Sequence, residues 1–159
     1  LIRSDGLGIG NCRNCGVRAS SGEIIAFTDD DCEAHPDWLM NGLNTLTKDN
    51  VDFVKGAVYF PDGGLFAKLD KDSLEFPTCN MFYKKAVIEG AGMFDERFTH
   101  GGEDLDLAFT ALEKGYKFAI CPEAIVYHSY HSYHSSVYCR FCVASVSLLI
   151  CSLCRFCSY

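Results

Sequence analysis

Three consecutive carboxylates, Asp29, Asp30 and Asp31, follow an apolar run directly and are the first candidates for chemistry in this sequence. Such groups repel one another unless water, a cation or a hydrogen-bond donor compensates their charge. A hard divalent ion such as Mg²⁺ or Mn²⁺ often uses only one or two carboxylates, with substrate phosphates and water in its other positions. The alternative is a solvated turn with a helix N-cap, since aspartate favours both. The spacing excludes an EF-hand, because the sixth position counted from Asp29 is Ala34 rather than Gly.

A second group of candidates lies in "GGEDLDL", where Glu103 and Asp104 follow Gly101 and Gly102. One interpretation is helix capping, because the N-terminal end of a helix dipole stabilises negative charge. The other is a general base on a rigid helix that follows a flexible glycine hinge. His128 comes directly after an apolar run; a lone histidine is more often structural, but imidazole does suit an Mn²⁺-type site.

Two other patterns do not predict a site. The run "GLGIGNCRNCG" has Asn11 where a dinucleotide-binding G-x-G-x-x-G needs its third glycine. Cys12 and Cys15 form a C-x-x-C, but residues 1–128 contain no second pair at zinc-site spacing.

The elements that must position these residues alternate between helix and strand, which predicts an α/β domain with a mostly parallel sheet. In such sheets ligands collect at the carboxyl ends of strands, and the aspartates follow the end of one predicted strand. Within "GGEDLDLAFTALEKGY" the predicted buried stripe is Leu105, Phe109 and Leu112, with Gly115 as the stop. Helices are predicted at 11–20, after Pro36 and within 76–98, and strands at 23–28, 51–60, "KFAIC" and "AIVYH".

The bulk composition narrows the classes of function. The 159 residues carry a net charge of -7, which disfavours nucleic acid as a partner. We interpret the cysteines of residues 1–128 as reduced, mostly buried thiols, since no signal peptide is visible. This predicts a cytoplasmic protein, or one at the cytoplasmic face of a membrane.

Four segments, in this order, resemble the glycosyltransferase family 2 domain with its Rossmann-like GT-A, or nucleotide-diphospho-sugar transferase, fold. They are "GNCRNCGVRASSGEIIAFTDDDCEAHPDWL", "TCNMFYKKAVIEGAGMFDERF", "GGEDLDLAFTALEKGY" and "CPEAIVYH". Each is weak alone, but the ordered set is specific. The first strands of the family are missing before Leu1, so the resemblance implies an N-terminally truncated domain over residues 1–128.

The resemblance also implies a role for each matching residue. Asp31, with Asp29 and His128, would bind the Mn²⁺ or Mg²⁺ ion that bridges the donor diphosphate. Asp29, Asp30 and Arg13 would contact the nucleoside-diphosphate sugar.

On the acceptor side, the resemblance makes Asp104 the base that takes the proton of the acceptor hydroxyl. Glu103 and Gly102 would help to position that acceptor, which is a glycan, a lipid-linked molecule or another hydroxyl compound. The expected reaction is direct displacement with inversion. Two features depart from the family pattern: a Lys84-Lys85 pair where the family has arginines, and Thr110 in the Glu-Asp helix. They make the substrate harder to infer from the resemblance.

Residues 129–159 match nothing in the family and form a low-complexity Cys/Ser/aromatic tail, which we expect to lie outside the fold. The alternatives are a metal site of histidines and C-x-x-C pairs, or a membrane-associated helix. The 14 residues between Arg140 and Arg155 are too few for the roughly 20 that span a bilayer.

Two rival functions stay open from the sequence. A metal-dependent nucleotidyl- or phosphoryl-transferase would also use aspartates at a strand end. An inactive binding remnant would account for the missing N-terminal strands.

Overall fold

The structure is a computed structural model that describes residues 8–73, 75–98 and 101–129, together with the backbone of residues 141–146. Its helices and strands alternate as predicted, and their bounds lie within a few residues of the expected ones. The helices are α1 (Ile9–Ala19), α2 (Trp38–Lys48), α3 (Lys85–Ala91) and α4 (Glu103–Glu113), with a 3₁₀ turn at Thr78–Asn80. The strands are β1 (Ile24–Asp29), β2 (Cys32–Ala34), β3 (Phe53–Tyr59), β4 (Met81–Lys84), β5 (Phe118–His128) and β6 (Phe141–Val146).

The six described strands form one mixed sheet in the order β2-β5-β3-β4-β1-β6. The α/β architecture is as predicted, but the expectation of mostly parallel pairing is wrong for these strands. Only β3 and β5 pair in parallel, whereas β4 is antiparallel to both β1 and β3, and the outer strands β2 and β6 are antiparallel to their neighbours. The reason is that β4 lies between β1 and β3, so the α2 connection does not place two parallel strands side by side.

The strands β1, β3 and β5 nevertheless run in the same direction, because β1 and β3 are both antiparallel to β4 and β5 is parallel to β3. Their carboxyl ends therefore meet at one edge of the sheet, which we call the carboxyl edge. It contains Asp29 at the end of β1, Tyr59 at the end of β3 and His128 at the end of β5. This is the edge at which the sequence predicts ligands.

Two apolar layers hold the sheet, and the alternation of side chains along each strand separates them. In β1, Ile25 and Phe27 face the layer that contains residues of α1, α3 and α4, while Ala26 faces the layer that contains Trp38 and Leu46 of α2. The carboxyl edge is thus flanked by α1 and α4 on one face and by α2 on the other.

The buried stripe of α4 differs from the predicted one. Leu107, Ala108 and Ala111 are buried, whereas Leu105 is 37% exposed. The prediction of Leu105, Phe109 and Leu112 took the largest apolar side chains as the core face. Small alanines lie there instead, because α4 packs closely against α3 and the sheet.

The two predicted strands "KFAIC" and "AIVYH" are one strand, β5. Its pairing with β3 shifts register between Gly56 and Ala57, where Cys121 and Ile125 are their successive partners. The three residues between those partners form a bulge, which absorbs Pro122 without ending the strand.

Part of the tail lies in the sheet. Each of the six residues of β6 pairs with a residue of β1, from Ile24 opposite Val146 to Asp29 opposite Phe141. The expectation that residues 129–159 lie outside the fold is therefore not met for 141–146, while the proposed tail metal site and membrane-associated helix fall outside the described residues. Among the described residues, no helix is both long and apolar enough to cross a membrane.

Candidate active site

The carboxyl edge brings together Asp31, Cys32 and His128, with one ligand atom from each lying within 4.8 Å of the others. Two of these residues were predicted from the sequence, and Cys32 was not. The local cause is the pairing of β2 with β5, which places Cys32 directly opposite His128. Residues opposite each other in an antiparallel pair project to the same face with their Cβ atoms about 5 Å apart.

The imidazole of His128 is held by two contacts. Its Nδ1 lies 2.9 Å from the carbonyl oxygen of Ser129, and its ring stacks on Phe66 with 4.8 Å between centroids. A proton on Nδ1 satisfies that carbonyl and leaves the lone pair on Nε2, which lies 3.7 Å from Asp31 Oδ1. The ring is therefore oriented to offer Nε2 to a cation beside Asp31.

Asp29 lies in the same neighbourhood but deeper in the protein. Burial raises the pKa of its carboxyl group, the Arg13 guanidinium opposes that shift, and Asp31 adds to it. Its Oδ1 atom is buried and has no hydrogen-bond partner among the described residues. Asp30, by contrast, is exposed and does not belong to the cluster.

Arg13 and Glu103, which the resemblance places at the donor and the acceptor, bind each other in this structure. Arg13 Nη1 donates to Glu103 Oε1 in an ion pair that joins α1 to the start of α4. Arg13 is 4% exposed and Glu103 is 1% exposed. Two buried charges of this kind compensate each other, and removal of either one leaves the other without its partner charge.

Asp104 is half-buried in the first turn of α4, as predicted. Its Oδ1 accepts a hydrogen bond from the backbone N–H of Leu105 at 2.9 Å. Its charge also contributes to raising the pKa of Tyr83, for which burial is the main cause. Gly102 precedes it with φ of 97°, a left-handed conformation that favours glycine, and the predicted hinge stays a prediction.

Asn80 and Trp38 form a further hydrogen-bond network. Both lie in segments that resemble the family, but the sequence predicts no role for either. Asn80 accepts a hydrogen bond from Trp38 Nε1 at 2.7 Å and donates to the carbonyl oxygens of Ala57 at 2.7 Å and Ala124 at 2.8 Å. It is fully buried. One amide thus ties α2, β3 and β5 together beneath the carboxyl edge.

The donor atoms at this edge fit a divalent cation. Asp31 offers a carboxylate oxygen, His128 an imidazole nitrogen and Cys32 a sulfur within one small volume. The nearby Asp29 has a buried carboxylate oxygen with no hydrogen-bond partner in the part of the chain that the structure describes. Carboxylate and imidazole together suit Mn²⁺ better than Mg²⁺, which prefers oxygen ligands alone.

Comparison with known proteins identifies the family. Residues 1–100 match the sequence model described as glycosyl transferase family 2. The chain belongs to this family. The match includes the aspartates and Arg13 and ends before Asp104.

Two curated relatives are named glycosyltransferases. The chain is 34% identical over 142 residues to glycosyltransferase AglE of Haloferax volcanii, covering 80% of this chain and 46% of that protein. It is 26% identical over 136 residues to the pre-mycofactocin glycosyltransferase of Mycobacterium tuberculosis, covering 73% of this chain and 29% of the relative. The chain thus spans less than half the length of these relatives.

Solved structures share the fold, which is the GT-A fold predicted from the sequence. S. aureus TarS, residues 1–349, superposes with a TM-score of 0.65 at 18% identity and covers 77% of this chain and 40% of that one. GalNAc-T7 with UDP, GalNAc and Mn²⁺ gives 0.63 at 17% identity, covering 77% and 30%. The Pyrobaculum calidifontis mannosyltransferase PcManGT with GDP-Man and Mn²⁺ gives 0.57 at 19% identity, covering 76% and 36%.

Proposed function

We propose that this chain carries active-site residues of an inverting, metal-dependent glycosyltransferase that moves a sugar from a nucleoside-diphosphate sugar to an acceptor hydroxyl. The observation that carries the proposal is the convergence of Asp31 and His128 beside the buried carboxylate of Asp29 at the carboxyl edge. Membership of the family supports sugar transfer over the rival nucleotidyl or phosphoryl transfer.

Asp31 and His128 would hold the metal, and Asp29 would add a carboxylate oxygen or contact the donor ribose. A bound Mn²⁺ ion would supply positive charge that stabilises the leaving diphosphate. Asp30 is exposed and free of the cluster, which suits a contact with the nucleotide. Mn²⁺ is found with UDP and with GDP-Man in two of the structural neighbours, so UDP and GDP are the first nucleotides to test.

Asp104 takes the proton of the acceptor hydroxyl in this proposal. The acceptor oxygen then attacks the anomeric carbon on the face opposite the diphosphate, the bond to the diphosphate breaks, and the configuration inverts. The half-buried carboxylate at the N-terminus of α4 is fixed on a rigid element, as a general base requires.

Arg13 and Glu103 serve the site indirectly. Their buried ion pair fixes the start of α4 against α1, and it therefore positions Asp104. The positive charge of Arg13 also reaches Asp29, where it favours the ionised carboxylate. We accordingly propose positioning roles for both residues in place of direct donor and acceptor contacts.

The acceptor class stays as predicted: a glycan, a lipid-linked molecule or another compound with a free hydroxyl. We place the reaction in the cytoplasm or at the cytoplasmic face of a membrane. The five cysteines whose side chains the structure describes are all free thiols, which supports a reducing compartment.

The stereochemical course tests the proposal. The full-length protein is incubated with Mn²⁺, a panel of nucleotide sugars and hydroxyl acceptors, and the anomeric configuration of the first-formed product is read by proton NMR. A product of inverted configuration is expected. Its formation should be lost in Asp31→Ala and retained in Asp49→Ala, an exposed control beyond α2. A product that retains the donor configuration would overturn the displacement mechanism.

A further inference from the structure

Cys32 offers a sulfur atom to the cluster at the carboxyl edge, and the proposed sugar transfer gives that sulfur no task. Its Sγ lies 4.0 Å from Asp31 Oδ1 and faces His128 across the strand pair. The side chain is half-buried, so a metal ion can reach it from solvent. Thiolate is a soft ligand that favours Zn²⁺ over Mn²⁺, whereas carboxylate and imidazole accept both ions.

The spacing of the three donors is close to that of a zinc site. Metal–ligand distances of 2.0 to 2.3 Å place the ligand atoms of a tetrahedral zinc ion about 3.3 to 3.8 Å apart. Asp31 Oδ1 and His128 Nε2 are already 3.7 Å apart, and all three atoms lie within 4.8 Å of one another. A shift of the sulfur by about an ångström through side-chain rotation would bring it into the range of a tetrahedral zinc site.

The groups behind the donors also resemble those of a built site. The Ser129 carbonyl fixes the His128 tautomer that leaves Nε2 available, as metal-ligating histidines generally require. The backbone N–H of Ser129 donates to the Asp31 carbonyl at 3.0 Å, so the two ligand-bearing segments are joined. Cys32 packs against the buried apolar cluster that contains Cys79, which limits the movement of its side chain.

We propose that Asp31, Cys32 and His128 form a three-ligand site for a thiophilic divalent ion, in which Cys32 makes Zn²⁺ bind far more tightly than Mn²⁺. The inference rests on the proposed function in that Asp31 and His128 are also the ligands of the catalytic ion. Binding releases the Cys32 proton to solvent and forms a zinc–thiolate bond, with no change of oxidation state. Zn²⁺ therefore displaces the ion that supports sugar transfer and inhibits the enzyme.

A competition titration measures this preference directly. Zn²⁺ and Mn²⁺ affinities are determined by calorimetry for the full-length wild-type protein, for Cys32→Ser and for Cys12→Ser, a control half-buried on α1. We expect Cys32→Ser to weaken Zn²⁺ binding at least about tenfold, the lower end for disturbing a metal-ligand shell. Its Mn²⁺ affinity should change less than about threefold, because sulfur adds little to Mn²⁺ binding. Cys12→Ser should leave both affinities unchanged.

Cobalt provides a spectroscopic test of the sulfur itself. Co²⁺ bound to a thiolate shows a sulfur-to-cobalt charge-transfer band, and the band at the first equivalent of Co²⁺ should be present in the wild type and in Cys12→Ser. Comparison of full-length proteins that differ only at Cys32 removes any contribution of the other cysteines. A band of equal strength in Cys32→Ser, or its absence in the wild type, overturns the proposal.

A hard-ligand replacement keeps the test decisive if Cys32→Ser does not fold. Cys32→Asp is expected to lose the charge-transfer band and to bind Mn²⁺ at least as well as the wild type. If Zn²⁺ binding is insensitive to both Cys32 variants while Mn²⁺ still binds, the zinc inference fails alone. If wild-type protein binds neither ion, the metal dependence of the proposed function fails with it.

Discussion

Asp29 is half-buried, and its Oδ1 atom is buried with no hydrogen-bond partner among the residues that the structure describes. Burial raises its pKa in the folded state above the ordinary value of 3.8, even with Arg13 nearby. The raised pKa therefore contributes stability that is fully present when the pH is below the ordinary pKa of an aspartate. This contribution is lost as the pH rises through the raised folded-state pKa. At neutral pH the charged side chain destabilises the metal-free protein, which is the expected state of a residue kept for binding a cation.

Asp29→Asn should accordingly raise the melting temperature of the metal-free protein at pH 7, and this advantage should shrink towards zero below about pH 4. The same variant should bind Mn²⁺ at least about tenfold more weakly. Thermal unfolding across a pH series, with Asp49→Asn as the exposed control, measures the first effect and calorimetry the second. Lower stability of Asp29→Asn at pH 7 would show that another group already compensates the carboxylate.

The neighbouring acids should have different roles, with Glu103 contributing to stability and Asp104 to catalysis. Asp104→Asn keeps the shape of the side chain and should lower kcat by about 10² to 10⁴-fold without a change in melting temperature. Glu103→Gln removes the partner charge of buried Arg13 and should lower the free energy of unfolding by roughly 3 kcal/mol. Steady-state kinetics and denaturant unfolding on the same two variants provide the test. A catalytically dead but fully stable Glu103→Gln, beside an active Asp104→Asn, would reverse the assignment.

At this scale the sequence predicts which residues are chemical candidates but not which ones meet. Asp31 and His128 were assigned to one site, and the structure brings them together. The pairing of Arg13 with Glu103 joins residues 90 positions apart, and no local pattern shows that both side chains point into the interior. Cys32 was set aside as a buried thiol, because its place opposite His128 depends on which strand β2 pairs with.

Among the elements, the junction of α2 with β3 and β5 depends on the side-chain amide of Asn80. Asn80→Ala would leave the Trp38 indole N–H and the carbonyl oxygens of Ala57 and Ala124 without this partner in the interior. We expect a loss of about 3 kcal/mol in the free energy of unfolding, since each buried unsatisfied group costs roughly 1 kcal/mol or more.

Asn41→Ala is the matched control for that loss. Asn41 also donates from Nδ2 to a β5 carbonyl, that of Glu123 at 2.8 Å, but the bond is exposed to water. It should cost less than about 1 kcal/mol. Equal losses in the free energy of unfolding of the two variants, measured by urea unfolding, would show that the buried network stabilises the protein no more than the exposed hydrogen bond does.

Elements were predicted well where apolar periodicity is strong and poorly where packing detail decides. The bounds of β1 and α2 follow from their apolar runs and from the turn residues beside them. The face of α4 was misjudged, because Ala108 and Ala111 carry little hydrophobicity in a sequence although they permit close contact. The unity of β5 was missed, since Pro122 usually ends a strand and its bulge is visible only against β3.

For the molecule as a whole, the open question is how much the tail contributes to the sheet. Because β6 pairs along the full length of β1, removal of residues 130–159 uncovers the backbone of a strand whose residues Ile25, Ala26 and Phe27 are buried. We expect this truncation to destabilise the protein by more than about 1 kcal/mol, the scale of ordinary surface changes. Hydrogen exchange of the β1 amides should accelerate more than that of β3.

An unchanged melting temperature and unchanged hydrogen exchange of the β1 amides after truncation would instead show that the tail lies outside the fold, as its composition predicts. The sequence could not predict the pairing, because strand partners far apart in the chain leave no local pattern. The expectation of mostly parallel pairing was wrong for the same reason. The position of β4 between β1 and β3 depends on contacts between residues far apart in the chain.

The central claim is that Asp31 and its neighbours bind a cation that in turn binds a nucleoside diphosphate. Calorimetric titration of Mn²⁺ into the full-length protein, with and without saturating UDP or GDP, tests it most directly. The claim predicts that one of these nucleotides strengthens Mn²⁺ binding at least about fivefold, and that Mn²⁺ strengthens nucleotide binding by the same factor. This coupling should vanish in Asp31→Ala and persist in Asp49→Ala. Independent binding of metal and nucleotide in the wild type, or equal coupling in Asp31→Ala, would contradict it.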